Sequence, residues 1–327
     1  MEQWLKKPSG PENGVADMWK LFETMKKHLA ATVLTPDSDE VDHDDHFNTK
    51  DDTTKGRRVF VVRHAERVDF TFGNWTPNSF DVAGNYIRRD LNMPRTLPQR
   101  KICQWKRDTP LTNLGQYQAR LTGEAMKDAG VQIDLVYSSP SFRCIQTASS
   151  ILEGLGIQET IPIRVEPGLF EWLMWYKEGL PEWLSNEELV SSGYNIAMDY
   201  KPLSTAEDLN RILEESLSDH YKRNSELADQ LYKTTSGNIL IVGHASTLDT
   251  CTRHAVGNEI LPTIDSLQLL LKIPYCSVVA IESTNVLSER YKWKFIKPPC
   301  APISNTKNDR FDWKVLLNKG NYEKLHI

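Results

Sequence analysis

The chain has 327 residues, of which 39% are hydrophobic and 25% are charged, so it can bury a large core as one large domain or two smaller ones. Its formal net charge is −5 and its basic residues are scattered, which excludes the basic footprint of a nucleic-acid-binding protein. No apolar stretch reaches the length of a membrane span, and the opening "MEQWLKKPSG" lacks the apolar core of a signal peptide. We therefore expect a soluble, cytoplasmic protein.

The cysteines indicate neither a disulfide framework nor a zinc site. There are 5 of them, widely spaced and with no CxxC pair, so we interpret them as reduced thiols. Cys144 lies beside Arg143, whose charge can lower a thiol pKa, but we favour the interpretation of Cys144 as a small buried residue.

The first part of the chain differs in composition from the rest. Apolar residues recur at helical spacing between positions 15 and 33, which predicts an amphipathic N-terminal helix within residues 1–35. Residues 36–56 are acidic and nearly free of apolar side chains, as is typical of a disordered linker. Residues 57–327 are then the predicted globular domain.

Within that domain, strand-like and helix-like segments alternate. Helices are predicted at 112–129, 141–154 and 205–232 and directly after His244. The predicted strands are "RVFVV", "DLVYSS", "IRVEP", "NILIVGH", "SVVAIES" and "YKWKFI". This alternation predicts an α/β fold with three layers, in which a mainly parallel sheet has helices on both faces.

Cationic side chains and histidines stand where the predicted parallel strands end. Arg63 and His64 close the first strand and Arg67 follows, while His244 closes the strand "NILIVGH". Arg143 lies in the opening turn of a helix that follows another strand. Because the carboxyl ends of parallel strands meet at one edge of a sheet, we expect these side chains to converge. Such convergence requires an anion, and phosphate matches the donor geometry of arginine.

Four segments of the sequence, in this order, resemble motifs of the histidine phosphatase superfamily, in the branch related to phosphoglycerate mutases. They are "VVRHAERVD", "SSPSFRCIQTA", "EPGLFEW" and "VGHASTLDTC". Over residues 57–313 the resemblance is closer still to the ecdysteroid-phosphate phosphatases and to the phosphatase domain of the suppressors of T-cell receptor signalling, through "RVDFTFGNW", "DLNMP", "FEWLMWY" and "FDW". The resemblance implies a phosphoglycerate mutase-like fold and a phosphomonoester hydrolase that uses no metal and no cofactor.

The same resemblance implies a role for each matching residue. His64 is the nucleophile that becomes transiently phosphorylated, and Glu171 is the acid that protonates the leaving oxygen and then activates water. The implied phosphate-binding residues are Arg63, Arg67, Arg143 and His244, of which His244 also counts as catalytic. Elementary chemistry agrees, because guanidinium groups supply charge stabilisation without a metal and repel the proton from a nucleophilic imidazole.

Two further acidic residues and two alanines lie in or near the motifs. Glu66 matches a structural glutamate of the family, and Asp249 lies one helical turn beyond His244, so neither is preferred as the acid. Ala65 and Ala245 stand where relatives have glycine, and because each adds only a methyl group we expect a perturbation without loss of activity.

Aromatic residues near the predicted site indicate the substrate. The predicted substrate pocket consists of Phe70, Phe72, Trp75, Phe80, Trp172 and Trp175. Such an apolar wall favours a steroid phosphate, an ecdysteroid phosphate above all, as the small-molecule partner. The alternatives are that these rings only anchor a loop or pack in a core, or that the substrate is a phosphotyrosyl protein. A non-catalytic phosphoprotein-binding module is disfavoured because His64 and Glu171 are both present, and a homodimer is left open.

Overall fold

The structure is a computed structural model that describes residues 56–261, 263–284 and 292–303. The predicted N-terminal helix (1–35), nearly all of the predicted linker (36–56) and the end of the predicted domain lie outside these residues. All described residues belong to the unit Gly56–Trp313, one of two into which the chain divides.

A six-stranded sheet with the order β3-β2-β4-β1-β5-β6 organises this unit. The strands are β1 (Arg58–Arg63), β2 (Leu135–Ser138), β3 (Ile163–Val165), β4 (Ile239–Gly243), β5 (Val278–Ser283) and β6 (Trp293–Ile296). Strands β1 to β4 are parallel, whereas β5 and β6 add two antiparallel pairings at one side. The prediction of a mainly parallel sheet is therefore confirmed, and its last two strands make the sheet mixed.

Helices cover both faces of this sheet. They are α1 (Val68–Phe72), α2 (Ile102–Trp105), α3 (Asn113–Asp128), α4 (Phe142–Leu155), α5 (Asn186–Ser191), α6 (Ala206–Asn210), α7 (Leu217–Thr234), α8 (Ala245–Thr250) and α9 (Thr263–Lys272). Side chains alternate between the two faces of a strand, so Phe60 of β1 packs in one core with Ile145 of α4. Its neighbour Val59 packs in a second core with Leu231 of α7. None of the helices in the described ranges has the length and apolar character that crossing a membrane requires.

Two glycines let α3 and α4 pack closely. A Cβ atom at Gly123 would lie 2.1 Å from the carbonyl oxygen of Ile151, and one at Gly154 would lie 2.1 Å from that of Arg120. Larger residues at these positions would push the helices apart. The contact matters for the site because α4 carries Arg143 at its amino end.

The predicted helix over 205–232 is wrong in one respect, because the structure divides it into α6 and α7. Each of the two helices begins with its own capping box, formed by Thr205 with Asp208 and by Ser216 with Asp219. A side chain that caps a helix start satisfies free backbone N–H groups and so favours a new start at that residue. The helix predicted after His244 is the short α8, and α9 follows it without having been predicted.

Candidate active site

The carboxyl ends of β1 and β4 bring His64 and His244 together. Arg63 is the last residue of β1, and the amide of His64 donates to the carbonyl of Gly243, the last residue of β4, at 2.9 Å. The imidazole centroids are 5.6 Å apart with an interplanar angle of 71°. The structure thus places the two predicted histidines side by side at one edge of the sheet.

The hydrogen bonding of His64 selects one tautomer of its ring. Its Nδ1 lies 2.9 Å from the carbonyl oxygen of Ala65, which can only accept, so Nδ1 carries the hydrogen of the neutral ring. The free lone pair is then on Nε2. Burial holds the pKa of His64 well below its usual range, and the charges of Arg143 and Arg63 depress that pKa further. His64 is therefore a neutral imidazole at physiological pH with an unprotonated Nε2.

His244 is held between Arg143 and Ser139. Arg143 Nη2 lies 3.2 Å from His244 Nδ1, and because a guanidinium can only donate, Nδ1 accepts. The Nε2–H of His244 then donates to Ser139 Oγ at 2.9 Å. Burial, and after it the charge of Arg143, holds the pKa of His244 well below its usual range. Ser139 was not predicted from the sequence, although it directly follows β2.

Arg143 has more donors than the described residues use. Its side chain is fully buried, and its Nη2 also donates to Glu171 Oε2 at 3.0 Å. Its Nε and Nη1 are buried and have no hydrogen-bond partner in the part of the chain that the structure describes. Buried donors in folded proteins are nearly always paired, and charged ones most of all. The geometry of Arg143 therefore fits a bound oxyanion that accepts from these two nitrogens.

Arg67 and Arg63 are fixed by groups that the sequence did not reveal. Arg67 forms a bidentate pair with Asp69, with both N–O distances at 2.7 Å, and this carboxylate raises the pKa of Arg67 against the effect of burial. The Arg63 guanidinium lies over the ring of Tyr275, with Cζ 4.3 Å from the ring centroid. Burial lowers the pKa of Arg63 to about 10, so both side chains keep their charge near neutral pH.

Glu171 lies on the open side of this cluster. It follows β3 and the 3₁₀ turn Pro167–Leu169, so all four parallel strands contribute to the site. Its Oε2 accepts from the Tyr176 hydroxyl at 3.2 Å and lies 3.9 Å from His244 Nδ1. The Glu171 side chain is 26% exposed, in contrast to the buried arginine beside it, so it can be reached from solvent.

The chain matches a known family over much of its length. The model of the histidine phosphatase superfamily (branch 1) matches residues 95–290. The chain belongs to this superfamily. The predicted family and fold are confirmed.

Relatives within the superfamily span both groups that the sequence resembles. An ecdysteroid-phosphate phosphatase of Drosophila melanogaster is 47% identical over 278 residues, which cover 84% of this chain and 36% of the relative. The human ubiquitin-associated and SH3 domain-containing protein B is 38% identical over 268 residues, with 80% and 40% covered. The chain thus spans about two fifths or less of the length of these relatives.

Among solved structures, the ecdysone phosphate phosphatase of Bombyx mori in complex with tungstate aligns with a TM-score of 0.66 and 36% identity. The alignment covers 80% of this chain and 99% of that chain. The globular domain of this superfamily member therefore has the fold of that phosphatase.

The structure also shows the contacts of Glu66, Asp249 and Cys144, which the sequence analysis named. Glu66 accepts from the hydroxyl of Thr112 at 2.8 Å, so it links β1 to the start of α3. Asp249, on α8, pairs with Arg253 beyond the end of that helix at 2.8 Å. Cys144 is buried, which raises the pKa of its thiol to about 12 and keeps the thiol protonated.

No group of three or more histidine, cysteine, aspartate or glutamate side chains is arranged to hold a metal within residues 56–261, 263–284 and 292–303.

The aromatic residues that follow His64 occupy two kinds of position. Phe70 is 37% exposed and packs against the Arg67 guanidinium, with Cζ 4.7 Å from the ring centroid. Trp75 is only 4% exposed and packs on Phe80 and Trp105, with ring centroids 5.9 and 6.3 Å away. Phe72 packs against the same core. The contacts of Phe72, Trp75 and Phe80 are those of the loop-anchoring alternative, whereas Phe70 is the exposed ring of the segment. All four residues stay predicted pocket residues.

Trp172 and Trp175 also make packing contacts. Trp172 is buried, donates through Nε1 to the carbonyl of Glu215 at 3.0 Å and packs edge-on against Trp175 at 5.9 Å. Trp175 belongs to a small cluster with Phe170 and Leu209. These contacts correspond to the core-packing alternative for both tryptophans, which support the segment that carries Glu171.

Proposed function

We propose that this chain is a phosphomonoester hydrolase that acts through a phosphohistidine formed on His64. The observation that carries the proposal is a pair of buried Arg143 donors that have no hydrogen-bond partner among the described residues, beside a neutral imidazole whose Nε2 carries the lone pair. The Bombyx relative in complex with tungstate supports it, because tungstate has the tetrahedral shape and the charge of phosphate.

In the first step, phosphate oxygens accept hydrogen bonds from Arg143, and the charges of Arg63 and Arg67 stabilise the oxyanion. The Nε2 lone pair of His64 attacks phosphorus. The bond between phosphorus and the leaving oxygen breaks, and its electron pair stays on that oxygen. Glu171, the most exposed ionisable group of the cluster, donates a proton to the leaving alcohol.

In the second step, water attacks the phosphorus of phosphohistidine. Glu171, now a carboxylate, accepts a proton from this water, and the electron pair of the P–N bond returns to Nε2. Inorganic phosphate and the original enzyme result. The buried arginines supply the positive charge that phosphoryl transfer needs, so we propose that neither a metal nor a cofactor takes part.

We expect Glu171→Gln to show the role of this acid through its dependence on the leaving group. Hydrolysis of an alkyl phosphate, whose alkoxide leaves only with a proton, should fall by about 10²-fold or more, whereas p-nitrophenyl phosphate should lose less than about threefold. The measurement is kcat/KM for both substrates in the presence of EDTA. Glu178→Gln, at an exposed glutamate nearby, is the matched control. Equal losses on the two substrates would show that Glu171 is not the acid.

For the substrate we propose a steroid phosphate of the ecdysteroid class. The 47% identity to the Drosophila ecdysteroid-phosphate phosphatase, over 84% of this chain, supports the choice. Phe70 offers exposed apolar surface beside Arg67. A phosphotyrosyl peptide is the second candidate, because the relatives with SH3 domains also match about four fifths of the chain.

We expect a steroid phosphate to exceed a phosphotyrosyl peptide in kcat/KM by about tenfold. Shielding about 55 Å² more apolar surface at about 25 cal/mol per Å² gives about 1.4 kcal/mol, which corresponds to that factor. Direct competition between the two substrates measures the ratio. Phe70→Leu should reduce it, while Phe295→Leu, at a 49% exposed phenylalanine of β6, should not. A higher kcat/KM for the peptide would make the signalling relatives the better guide to the substrate.

A further inference from the structure

We propose that Arg223 and Glu215 are positioning residues that hold the backbone around Glu171 in place for proton transfer. The inference rests on the proposed role of Glu171 as the acid. Arg223 lies in α7, and Glu215 lies just before it, so both come from a part of the chain that none of the sequence motifs includes.

Arg223 binds the peptide carbonyls that lead up to Glu171. Its Nη1 donates to the carbonyl oxygen of Gly168 at 2.6 Å and to that of Phe170 at 3.1 Å. Its Nη2 reaches the carbonyl oxygen of Glu171 itself at 3.4 Å. One guanidinium thus contacts three carbonyls within four consecutive residues.

Glu215 completes the clamp from the other side of Glu171. Its carboxylate accepts from the amide of Leu173 at 3.1 Å, and its own carbonyl accepts from Trp172 Nε1 at 3.0 Å. The same carboxylate accepts from Arg223 Nε at 2.6 Å and from Nη2 at 3.0 Å. Residues on both sides of Glu171 are therefore tied to one ion pair.

The clamp has a physical reason. Glu171 sits between two short 3₁₀ turns, Pro167–Leu169 and Leu173–Tyr176, so no strand or long helix pairs its backbone. Buried backbone groups outside regular structure need other partners, and Arg223 and Glu215 supply them. The Glu215 side chain is fully buried, and the Arg223 side chain is nearly so. Burial opposes ionisation of Glu215, but its contacts with His220 and Arg223 bring its pKa to about 2, so the ion pair is present at neutral pH.

A clamp of this kind acts on catalysis through position. Neither side chain is proposed to touch the substrate, and proton transfer requires the carboxyl oxygen to lie within hydrogen-bond reach of the leaving oxygen. A displacement of about 1 Å at a reacting group can lower a rate by about 10²-fold. Loss of the clamp should therefore affect most strongly those substrates that depend on the acid.

The test uses Arg223→Lys, which keeps the charge but loses the forked donors, and Glu215→Gln, which keeps the volume and an acceptor for Leu173. For each variant, kcat/KM for an alkyl phosphate should fall by about tenfold or more, while that for p-nitrophenyl phosphate should stay within about threefold. Arg253→Lys is the matched control, because Arg253 is also a partly buried arginine paired with a carboxylate, and it should change neither rate.

The outcomes separate this inference from the proposed function. In one outcome, Glu171→Gln shows the leaving-group dependence, but both clamp variants slow the two substrates equally or slow neither. That result overturns the positioning role of Arg223 and Glu215 and leaves the acid role of Glu171 intact. If Glu171→Gln itself slows both substrates equally, the acid role falls and the inference falls with it. Circular dichroism shows which variants are folded, and if Arg223→Lys is not, Glu215→Gln decides.

Discussion

We expect His64→Ala to lower kcat by about 10⁴-fold or more on every phosphate ester, because His64 is the proposed nucleophile and the lone pair of the neighbouring His244 already accepts from Arg143. The reason lies in the geometry of the wild-type ring, whose Nδ1–H is held by the Ala65 carbonyl while burial and two arginines keep Nε2 unprotonated. Replacement by alanine removes the nucleophile and leaves the arginines in place, so the variant should still bind the substrate.

Rapid acid-free quenching of the wild-type enzyme with a ³²P-labelled substrate tests the same prediction from the other side. The label should be found on His64 and should be lost in acid and retained in base, as expected of a P–N bond. His254→Ala, at an exposed histidine, is the control and should trap label as the wild type does. Label on Cys144 or on any other residue would contradict the mechanism.

We expect Arg143→Leu to lower kcat/KM by about 10³-fold, to a similar degree for good and poor leaving groups. Removal of a single oxyanion donor typically lowers a rate by about 10² to 10³-fold, and Arg143 offers two buried donors and a charge. This pattern differs from that of Glu171→Gln, which should depend on the leaving group. Parallel measurements on an alkyl and an aryl phosphate distinguish the two roles, and a strong leaving-group dependence in Arg143→Leu would contradict the assignment.

The same variant should change the pH dependence. Burial lowers the pKa of His64 most, and Arg143 is the charge that lowers it most after burial. Without Arg143 the pKa of His64 rises, so protonation blocks the nucleophile at a higher pH and the acid limb of kcat/KM moves upward. Arg143→Lys keeps a positive charge, so its acid limb should stay closer to that of the wild type while its rate is reduced. An unchanged acid limb in Arg143→Leu would show that Arg143 does not set this pKa.

The positions of the two histidines at the site could be predicted because backbone topology alone determines them. Parallel strands end at one edge, so residues that directly follow apolar strands must meet there whatever their side-chain rotamers. His64 and His244 satisfy this condition, and Arg143 follows β2 in the first turn of α4. The structure places the three side chains within contact distance. The roles that the resemblance implies for them, as nucleophile and as phosphate-binding residues, stay proposals.

The partners of these residues could not be predicted in the same way. Asp69, Tyr176 and Tyr275 each act through a side chain whose direction depends on local turns and on tertiary packing. Arg223 contacts residues more than 50 positions away, and no periodicity reveals such a pairing. For the aromatic residues, composition indicated an apolar segment but could not separate the core-packed Trp75 from the exposed Phe70.

The sequence contains a signal for the division between α6 and α7, which the predicted single helix does not include. The stretch contains two segments of the type S/T-x-x-D, at Thr205 and at Ser216, and each marks a helix start. The prediction of one helix over 205–232 does not take these two starts into account. The difference is relevant to the proposed clamp, because Glu215 lies in the interruption between the two helices and accepts from the Leu173 amide from there.

The pairing of β1 has a consequence for the synthesis of the protein. This first strand of the sheet joins β4 and β5, so that Val59 is opposite both Ile239 and Ile281. Contacts between such distant parts of a chain form slowly and cannot form at all until the later part has left the ribosome. During most of translation, β1 and His64 therefore lack the partner strands β4 and β5. A chain that ends before β4 lacks the strand that pairs with both β1 and β2 and that leads into His244, so it can form neither this sheet nor the proposed site.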